Sequence, residues 1–126
     1  MLKQLSIQNF ALIDELNIQF SEGLSVITGE TGAGKSILLG ALKLILGDRA
    51  DHSSLKNQSE KCIIEGTFSV ANYDLKALFA DADLDYWDET IIRREISPQG
   101  KSRSFINDTP TTLEVLKKLG EKLIDI

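Results

Sequence analysis

Three glycines, a lysine and a hydroxyl group lie within eight residues of one another in the first third of this 126-residue chain. The segment fits the phosphate-binding pattern G-x-x-x-x-G-K-S/T at every fixed position. It reads Gly29, Glu30, Thr31, Gly32, Ala33, Gly34, Lys35, Ser36. Glycines permit close approach of the backbone, so that successive N–H groups can turn toward a phosphate. Lys35 adds a full charge toward the β- and γ-phosphates, and the Ser36 hydroxyl suits a bridging Mg²⁺ ion.

The elements around this segment are those that a phosphate-binding loop requires. A short apolar strand is predicted over Leu24–Thr28, and a helix that is apolar nearly all round is predicted over Gly34–Leu46. The helix would place the positive end of its dipole at the bound phosphate. A plain strand-to-helix connection is the alternative. Because strand, loop and helix follow one another directly, we predict a site for nucleotide phosphates and Mg²⁺.

The acidic residue that a hydrolase needs is much harder to find. It should follow an apolar core strand, hold Mg²⁺ and orient the attacking water. Asp125 is the nearest candidate, but Glu121 and Lys122 interrupt the apolar run before it. No Asn-Lys-x-Asp motif for reading guanine is present. These residues predict binding without efficient hydrolysis, so no catalytic residue is assigned.

Composition and charge narrow the class of protein. With 42% hydrophobic and 26% charged residues, the chain has the composition of an ordinary globular domain. A formal net charge of −5 argues against a surface built wholly to coat nucleic acid. Cys62 cannot form an internal disulfide and is predicted to be a buried, inert thiol. With no secretory signal and no apolar stretch long enough for a bilayer, a cytoplasmic location without membrane contact is expected.

Alternating apolar residues predict three strands. They cover Leu2–Gln8, Leu12–Phe20 and Cys62–Val70, and a short helix is predicted over Tyr73–Phe79. Residues 90–97 and 103–107 flank Pro98-Gln99-Gly100-Lys101, which is typical of a hairpin. This layout predicts an α/β fold with a mixed sheet and an antiparallel flank.

The last part of the chain is predicted to contain one helix and the start of a strand. Thr111 as N-cap and Glu114 reaching back fit a capping box. The helix is expected over Thr112–Leu119 and to end near Gly120, and a strand is expected from Leu123 to Ile126. Since that strand begins so late, the fold is expected to be incomplete within residues 1–126.

Two blocks of sequence resemble one known family. The stretch "IQNFALIDELNIQFSEGLSVITGETGAGKSIL" followed by "LILGDRA" resembles the amino-terminal opening of the RecN family of bacterial DNA repair proteins. "RREISPQGKSRSFINDTPTTLEVLKKLGEKLIDI" resembles a second block of that family, which ends just before its glutamine-bearing loop. The family is related to the structural-maintenance-of-chromosomes (SMC) proteins within the ABC-type ATPase superfamily.

The resemblance implies the amino-terminal lobe of an ATPase head over residues 1–126. Gly29–Ser36 would bind ATP and Mg²⁺. A carboxy-terminal lobe of the same protein would supply the ABC signature and the catalytic glutamate, beyond a coiled coil. Other implied partners are a second head in a dimer and DNA, at the bacterial nucleoid. The implied family role is recombinational repair of DNA double-strand breaks.

Several further residues carry two interpretations each. Arg49 could approach the nucleotide or sense DNA, or it could be a solvated loop arginine. Asn9 and Phe10 could lie near the adenine, although packing is the favoured role of Phe10. A cluster of cations on the hairpin could contact phosphates, or could mark a solvated edge that resists pairing, which is favoured. The cluster comprises Arg93, Arg94, Lys101 and Arg103.

Two other functions compete with an ATP-binding lobe. One is a small P-loop kinase or NTPase that hydrolyses by itself, with Asp125 as its acidic residue. The other is a non-catalytic interaction module whose loop holds a phosphate only structurally. An isolated lobe should also expose a sheet edge or an apolar face, so self-association or low stability is expected.

Overall fold

A computed structural model describes residues 1–20, 32–50 and 52–123. The described strands and helices are β1 Leu2–Phe10, β2 Ile13–Gln19, α1 Gly32–Ile45, β3 Cys62–Ser69, α2 Lys76–Asp81, β4 Glu89–Ile96, β5 Ser102–Ile106, β6 Thr109–Thr111 and α3 Leu113–Leu123. Two short 3₁₀ turns, His52–Ser54 and Ala71–Tyr73, lie between them. The strand predicted over 24–28 lies outside the described residues.

The described strands form one antiparallel sheet in the order β2-β1-β3-β4-β5-β6. Strands β3 and β4, at the centre of the sheet, alternate between buried and more exposed residues along their whole length. This alternation is what an antiparallel sheet requires when one face packs on a core and the other faces water. The sequence predictions for β1, β2 and β3 are therefore confirmed, with differences of one or two residues at their ends.

Helix α1 covers the inner face of the sheet. Gly66 of β3 lies directly beneath the helix, where an added Cβ would come within 2.6 Å of Ile45 Cδ1. Phe10, from the end of β1, packs beside Gly40 of the helix. The buried apolar side chains of the described residues form one core: Leu2, Leu5, Ile7, Phe10, Phe20, Ala41, Leu42, Leu44, Ile45, Leu55, Cys62, Ile64, Phe68, Val70, Leu75, Phe79, Leu84, Ile92, Ile96, Ile106, Leu116, Leu119 and Leu123.

The carboxyl end of α1 meets α3 at two glycines. Gly47 ends α1 with φ of +110°, and the N–H groups of Gly47 and Asp48 donate back to Leu44 and Lys43. This is the Schellman arrangement, in which a glycine accepts a backbone angle that other residues avoid. Gly120 lies inside α3, where an added Cβ would be 3.1 Å from Cβ of Leu46. The prediction that Gly120 ends the helix is wrong, because this glycine permits close helix packing.

The start of α3 also differs from the prediction. Thr112, not Thr111, is the capping residue, since its Oγ1 accepts a hydrogen bond from the N–H of Val115 at 3.3 Å. Thr111 belongs to β6, so the predicted capping box with Glu114 is wrong by one residue. Leu123 is still helical and buried, which contradicts the strand predicted to begin there; residues 124–126 lie outside the described residues.

The hairpin between β4 and β5 is confirmed. Gly100 has φ of +83°, and the N–H groups of Ser97 and Gly100 donate to Lys101 and Ser97 respectively. A second tight turn, Asn107-Asp108, has positive φ at both residues and connects β5 to β6. Hence β4 and β5 each lie between two other strands, and the prediction of a solvated hairpin edge is wrong. Of the described strands, β2 and β6 lie at the edges.

The helix predicted over Tyr73–Phe79 is shorter than expected. Tyr73 is instead the last residue of the 3₁₀ turn Ala71–Tyr73, and Asp74 then adopts φ of +52°. A left-handed residue cannot continue a right-handed helix. Helix α2 therefore begins only at Lys76 and places Phe79 in the core.

Candidate phosphate-binding site

Helix α1 begins at Gly32, inside the phosphate-binding motif. The prediction placed its start two residues later, at Gly34. A helix start leaves its first N–H groups without partners within the helix. No acidic side chain lies in the first turn of α1 to occupy them. The amino end of α1 is consequently suited to an external anion, where the helix dipole is also favourable.

The described residues cover the second half of the motif. Gly32, Ala33, Gly34 and Lys35 form the first turn of α1, and their side chains are not described. Ser36 follows in the same helix and is exposed. Gly29, Glu30 and Thr31 lie outside the described residues, as does Asp125. The assignment of Gly29–Ser36 to phosphate binding therefore stays a prediction.

The described chemistry is compatible with Mg²⁺ at Ser36. A hydroxyl is a hard oxygen ligand of the type that Mg²⁺ accepts, and Mg²⁺ keeps several waters and phosphate oxygens around it. Ser36 is exposed one turn into α1, so its hydroxyl can be reached from solvent. Among the described residues, no group of three or more His, Cys, Asp or Glu side chains could hold a metal by itself.

Arg49 lies at the opposite end of α1. It is exposed and follows the Schellman turn at Gly47 and Asp48. A helix of 14 residues is about 21 Å long at about 1.5 Å per residue. An arginine side chain spans only a fraction of that length. Approach to the nucleotide, sensing of DNA and a solvated loop role all stay predictions for Arg49.

Arg94 is a functional candidate whose role the sequence did not indicate. It is fully buried in β4, with an exposed fraction of 0%. Its Nη1 donates to the carbonyl oxygen of Leu44, in the last turn of α1, and to that of Asp48 at 2.7 Å. Its Nε and Nη2 donate to Ser102 Oγ at 3.1 and 2.6 Å. The structure therefore supports neither of the two roles predicted for Arg94, a phosphate contact or a place on a solvated edge. Arg94 instead joins β4 and β5 to α1.

Arg93 points to the other face of the sheet. Its guanidinium lies 2.9 Å from an oxygen of Asp108, 3.2 Å from Glu95 and 3.9 Å from Glu65. It also lies 4.3 Å from the ring centroid of Phe105, a cation–π distance. These partners neutralise its charge. A phosphate contact by Arg93 would have to displace them.

Lys101 and Arg103 are the exposed members of the predicted basic cluster. No ion pair to either one is found among the described residues. A shallow depression at this end of the hairpin is lined by both, together with Lys61 and Glu95. Lys61 lies 3.4 Å from Glu95. Phosphate contact therefore stays a hypothesis for Lys101 and Arg103.

Asn9 and Phe10 have structural roles. Asn9 is 6% exposed, its Nδ2 donates to the carbonyls of Asn57 and Glu60 at 2.9 and 3.0 Å, and its Oδ1 accepts the Asn57 N–H at 2.7 Å. It fastens the loop before β3 to the end of β1. Phe10 is 8% exposed and packs in the core, which confirms its favoured role.

Cys62 is a buried thiol, as predicted. It is fully covered at the start of β3, and burial raises its pKa to about 11 even though the nearby Arg94 charge opposes the shift. Because the thiolate is the reactive form, this cysteine is inert near neutral pH.

Within the described part of the chain, no helix is long and apolar enough to cross a membrane.

Known structures share this arrangement of sheet and helix. One chain, from work on ATP-driven dimerization and DNA-stimulated activation of SMC ATPases, matches with a TM-score of 0.72 at 21% identity, over 98% of this chain and 79% of that one. The SMC head domain from Thermotoga maritima matches at 0.60 and 18% identity, over 94% and 41%. The recombination mediator RecF with ATP matches at 0.65 and 24% identity, over 98% and 30%. The fold class is therefore α/β, with the fold of SMC head domains, as predicted.

The chain belongs to the AAA domain family, whose profile matches residues 4–125. It is also similar over its whole length to proteins named DNA repair protein RecN. Identity is 42% over 127 residues with the protein from Vibrio cholerae, 41% over 128 with that from Bacillus subtilis, and 43% over 130 with that from Synechocystis. The predicted resemblance to RecN is thus confirmed. The chain spans 22–23% of the length of these relatives.

Proposed function

We propose that this chain is an ATP-binding lobe of a RecN-type ATPase that acts in recombinational repair of DNA double-strand breaks. Its main support is the motif Gly29–Ser36, whose second half opens a helix with no acidic residue in its first turn. RecN-like sequence along the whole chain is the second support. ATP would lie with its phosphates against the amino end of α1. Lys35 would bind the β- and γ-phosphates, and Ser36 would be one ligand of Mg²⁺.

We further propose that the lobe binds ATP without turning it over efficiently. Hydrolysis needs an acidic Mg²⁺ residue that follows an apolar core strand and a group that orients water. Asp125 is the nearest candidate in the sequence, and Glu121 and Lys122 interrupt the apolar run before it. A carboxy-terminal lobe of the same protein would supply them, and a second head would complete the site in a dimer. DNA would bind the assembled protein, which would act in the bacterial cytoplasm at the nucleoid.

Titration with Mg²⁺-ATP in a calorimeter tests binding. Wild-type chain should bind one nucleotide, and Lys35→Ala should weaken the affinity by about 10- to 100-fold, since a charged hydrogen bond contributes about 1.5–3 kcal/mol. Lys43→Ala is a matched control, because Lys43 is an exposed lysine in the last turn of the same helix. Unchanged affinity in Lys35→Ala would favour the interaction module that holds a phosphate only structurally.

Measurement of phosphate release separates the lobe from a self-sufficient enzyme. The chain alone should release phosphate from ATP no faster than Lys35→Ala. Robust turnover that depends on Lys35 would contradict the proposal and would favour a small P-loop kinase or NTPase. Asp125→Asn would then be the variant that identifies the acidic residue.

A further inference from the structure

One buried charge is not used by the proposed site. The Arg94 guanidinium makes four hydrogen bonds, two to main-chain carbonyls at the carboxyl end of α1 and two to Ser102 Oγ. The Leu44 carbonyl also accepts the Gly47 N–H in the Schellman turn. Arg94 therefore binds the turn that ends the phosphate-binding helix, and Ser102 extends this connection to β5.

The absence of an acidic partner makes this arrangement unusual. Among the described residues, no carboxylate lies within ion-pair distance of Arg94. Burial lowers the pKa of its guanidinium, while the more distant charge of Asp48 opposes that shift. A buried charge is tolerated only when hydrogen bonds and dipoles compensate for lost hydration. Here the carbonyls at the negative end of the α1 dipole supply that compensation.

The position of this contact matters because α1 is a stiff rod. A tilt of about 5° around its carboxyl end would move its amino end by about 2 Å, given a length of about 21 Å. Groups that bind a ligand must be held to within about 0.5 Å of their working geometry. A contact that fixes the far end of α1 can thus control how its first N–H groups meet a phosphate.

We propose that Arg94 is a positioning residue for nucleotide binding, because it fastens the carboxyl end of α1 to β4 and β5 and so sets the direction of the phosphate-binding helix. This inference rests on the proposed function. It adds that affinity for ATP depends on a contact at the opposite end of α1 from the phosphates. It also predicts that amide hydrogen exchange at Leu44–Asp48 and near Ser102 slows when nucleotide binds.

Two substitutions of Arg94 test this role together with a control in the core. Arg94→Met removes the donors and should weaken Mg²⁺-ATP affinity by about tenfold, a typical size for coupling between distant sites. Arg94→Lys keeps the charge and an ammonium group that can still donate to the carbonyls at the end of α1, and should return the affinity to within about threefold of wild type. Ile106→Val is the control, since Ile106 is a fully buried apolar residue on β5. It should lower thermal stability and leave affinity within about twofold.

A purely structural role predicts a different outcome. Affinity that is unchanged in Arg94→Met, measured well below its melting temperature, would overturn the proposal while leaving ATP binding intact. So would a loss of affinity in Ile106→Val as large as in Arg94→Met, because affinity would then follow stability alone.

Hydrogen exchange of the wild-type chain keeps the proposal testable if Arg94→Met fails to fold. Mg²⁺-ATP should slow amide exchange at Leu44–Asp48 and near Ser102 as well as at the amino end of α1. Protection confined to the amino end would overturn the proposal. If wild type binds no ATP, the proposed function fails, and exchange without nucleotide decides the role of Arg94. Ser102→Ala, which removes the acceptor of two of the four Arg94 hydrogen bonds, should then speed exchange along α1 but not in β1; equal effects on both, or none, would refute it.

Discussion

Three glycines yield a graded prediction, and the one expected to lose most stability on substitution, Gly47, lies at the junction between α1 and α3. Gly47→Ala places a Cβ within 2.6 Å of Lys117 Cγ, 3.0 Å of Lys117 N and 3.2 Å of the Leu113 oxygen, at φ of +110°. The backbone strain is about 1–2 kcal/mol, and overpacking against main-chain atoms adds about 1–3 kcal/mol. We expect a loss of about 3 kcal/mol in the free energy of unfolding, or a fall of about 10 °C in melting temperature.

Substitutions at two other glycines separate the effect of backbone strain from the effect of a steric clash. Gly100→Ala meets nothing within 4 Å at φ of +83°, so only strain of about 1 kcal/mol should remain. Gly40→Ala lies in α1 with its nearest contact at 3.6 Å, from Phe10, and should stabilise the chain by about 0.5–1 kcal/mol.

Thermal and urea unfolding followed by circular dichroism would measure all three variants. The expected order of stability is Gly40→Ala above wild type, then Gly100→Ala, then Gly47→Ala. If Gly47→Ala and Gly100→Ala lose the same free energy, α3 does not press against the end of α1 as described, and the reasoning about that junction is refuted.

Two further predictions concern buried polar and ionisable groups. Asn9→Ala should cost about 2–4 kcal/mol of unfolding free energy, because the buried Asn9 side chain makes hydrogen bonds to main-chain atoms of Asn57 and Glu60 that would be lost. The exposed Gln8→Ala should cost less than about 0.5 kcal/mol; equal losses in urea unfolding would contradict the role of Asn9. Cys62, with its pKa raised to about 11, should hold about one thiolate in a thousand at pH 8, so iodoacetamide should label it at least about 100-fold more slowly in the folded chain than in urea. Equal labelling rates in the two states would show that Cys62 is not buried. Because the raised pKa means that the folded state retains the proton, the contribution of Cys62 to the free energy of unfolding is complete below the pKa of the unfolded thiol. It falls as pH rises from that value toward 11.

Regular alternation of apolar and polar residues let the sequence predict much of the sheet. β1, β2 and β3 follow period-two patterns, and Pro98–Lys101 indicated the turn between β4 and β5. β6 was not predicted, because proline at position 110 argues against a central strand. An edge strand tolerates proline, because its missing N–H can face away from the neighbouring strand and then removes no hydrogen bond of the sheet.

Tertiary contacts explain most of the wrong predictions. Gly120 is a helix-packing glycine, yet by sequence alone it is indistinguishable from one that ends a helix. Arg93 and Arg94 are neighbours in the chain, but strand geometry sends one to the ion pairs of the outer face and the other into the core. Local sequence does not reveal that Arg94 meets the end of α1, since the two segments are joined only by the fold.

The central claim is that main-chain N–H groups at the start of α1 hold the phosphates of ATP. A titration of the ¹⁵N-labelled chain with Mg²⁺-ATP, followed by amide chemical shifts, tests it most directly. We expect the largest shifts at Gly29–Ser36, saturating at one nucleotide per chain and lost in Lys35→Ala. Shifts that are absent, that centre elsewhere in the chain, or that persist unchanged in Lys35→Ala would contradict the account.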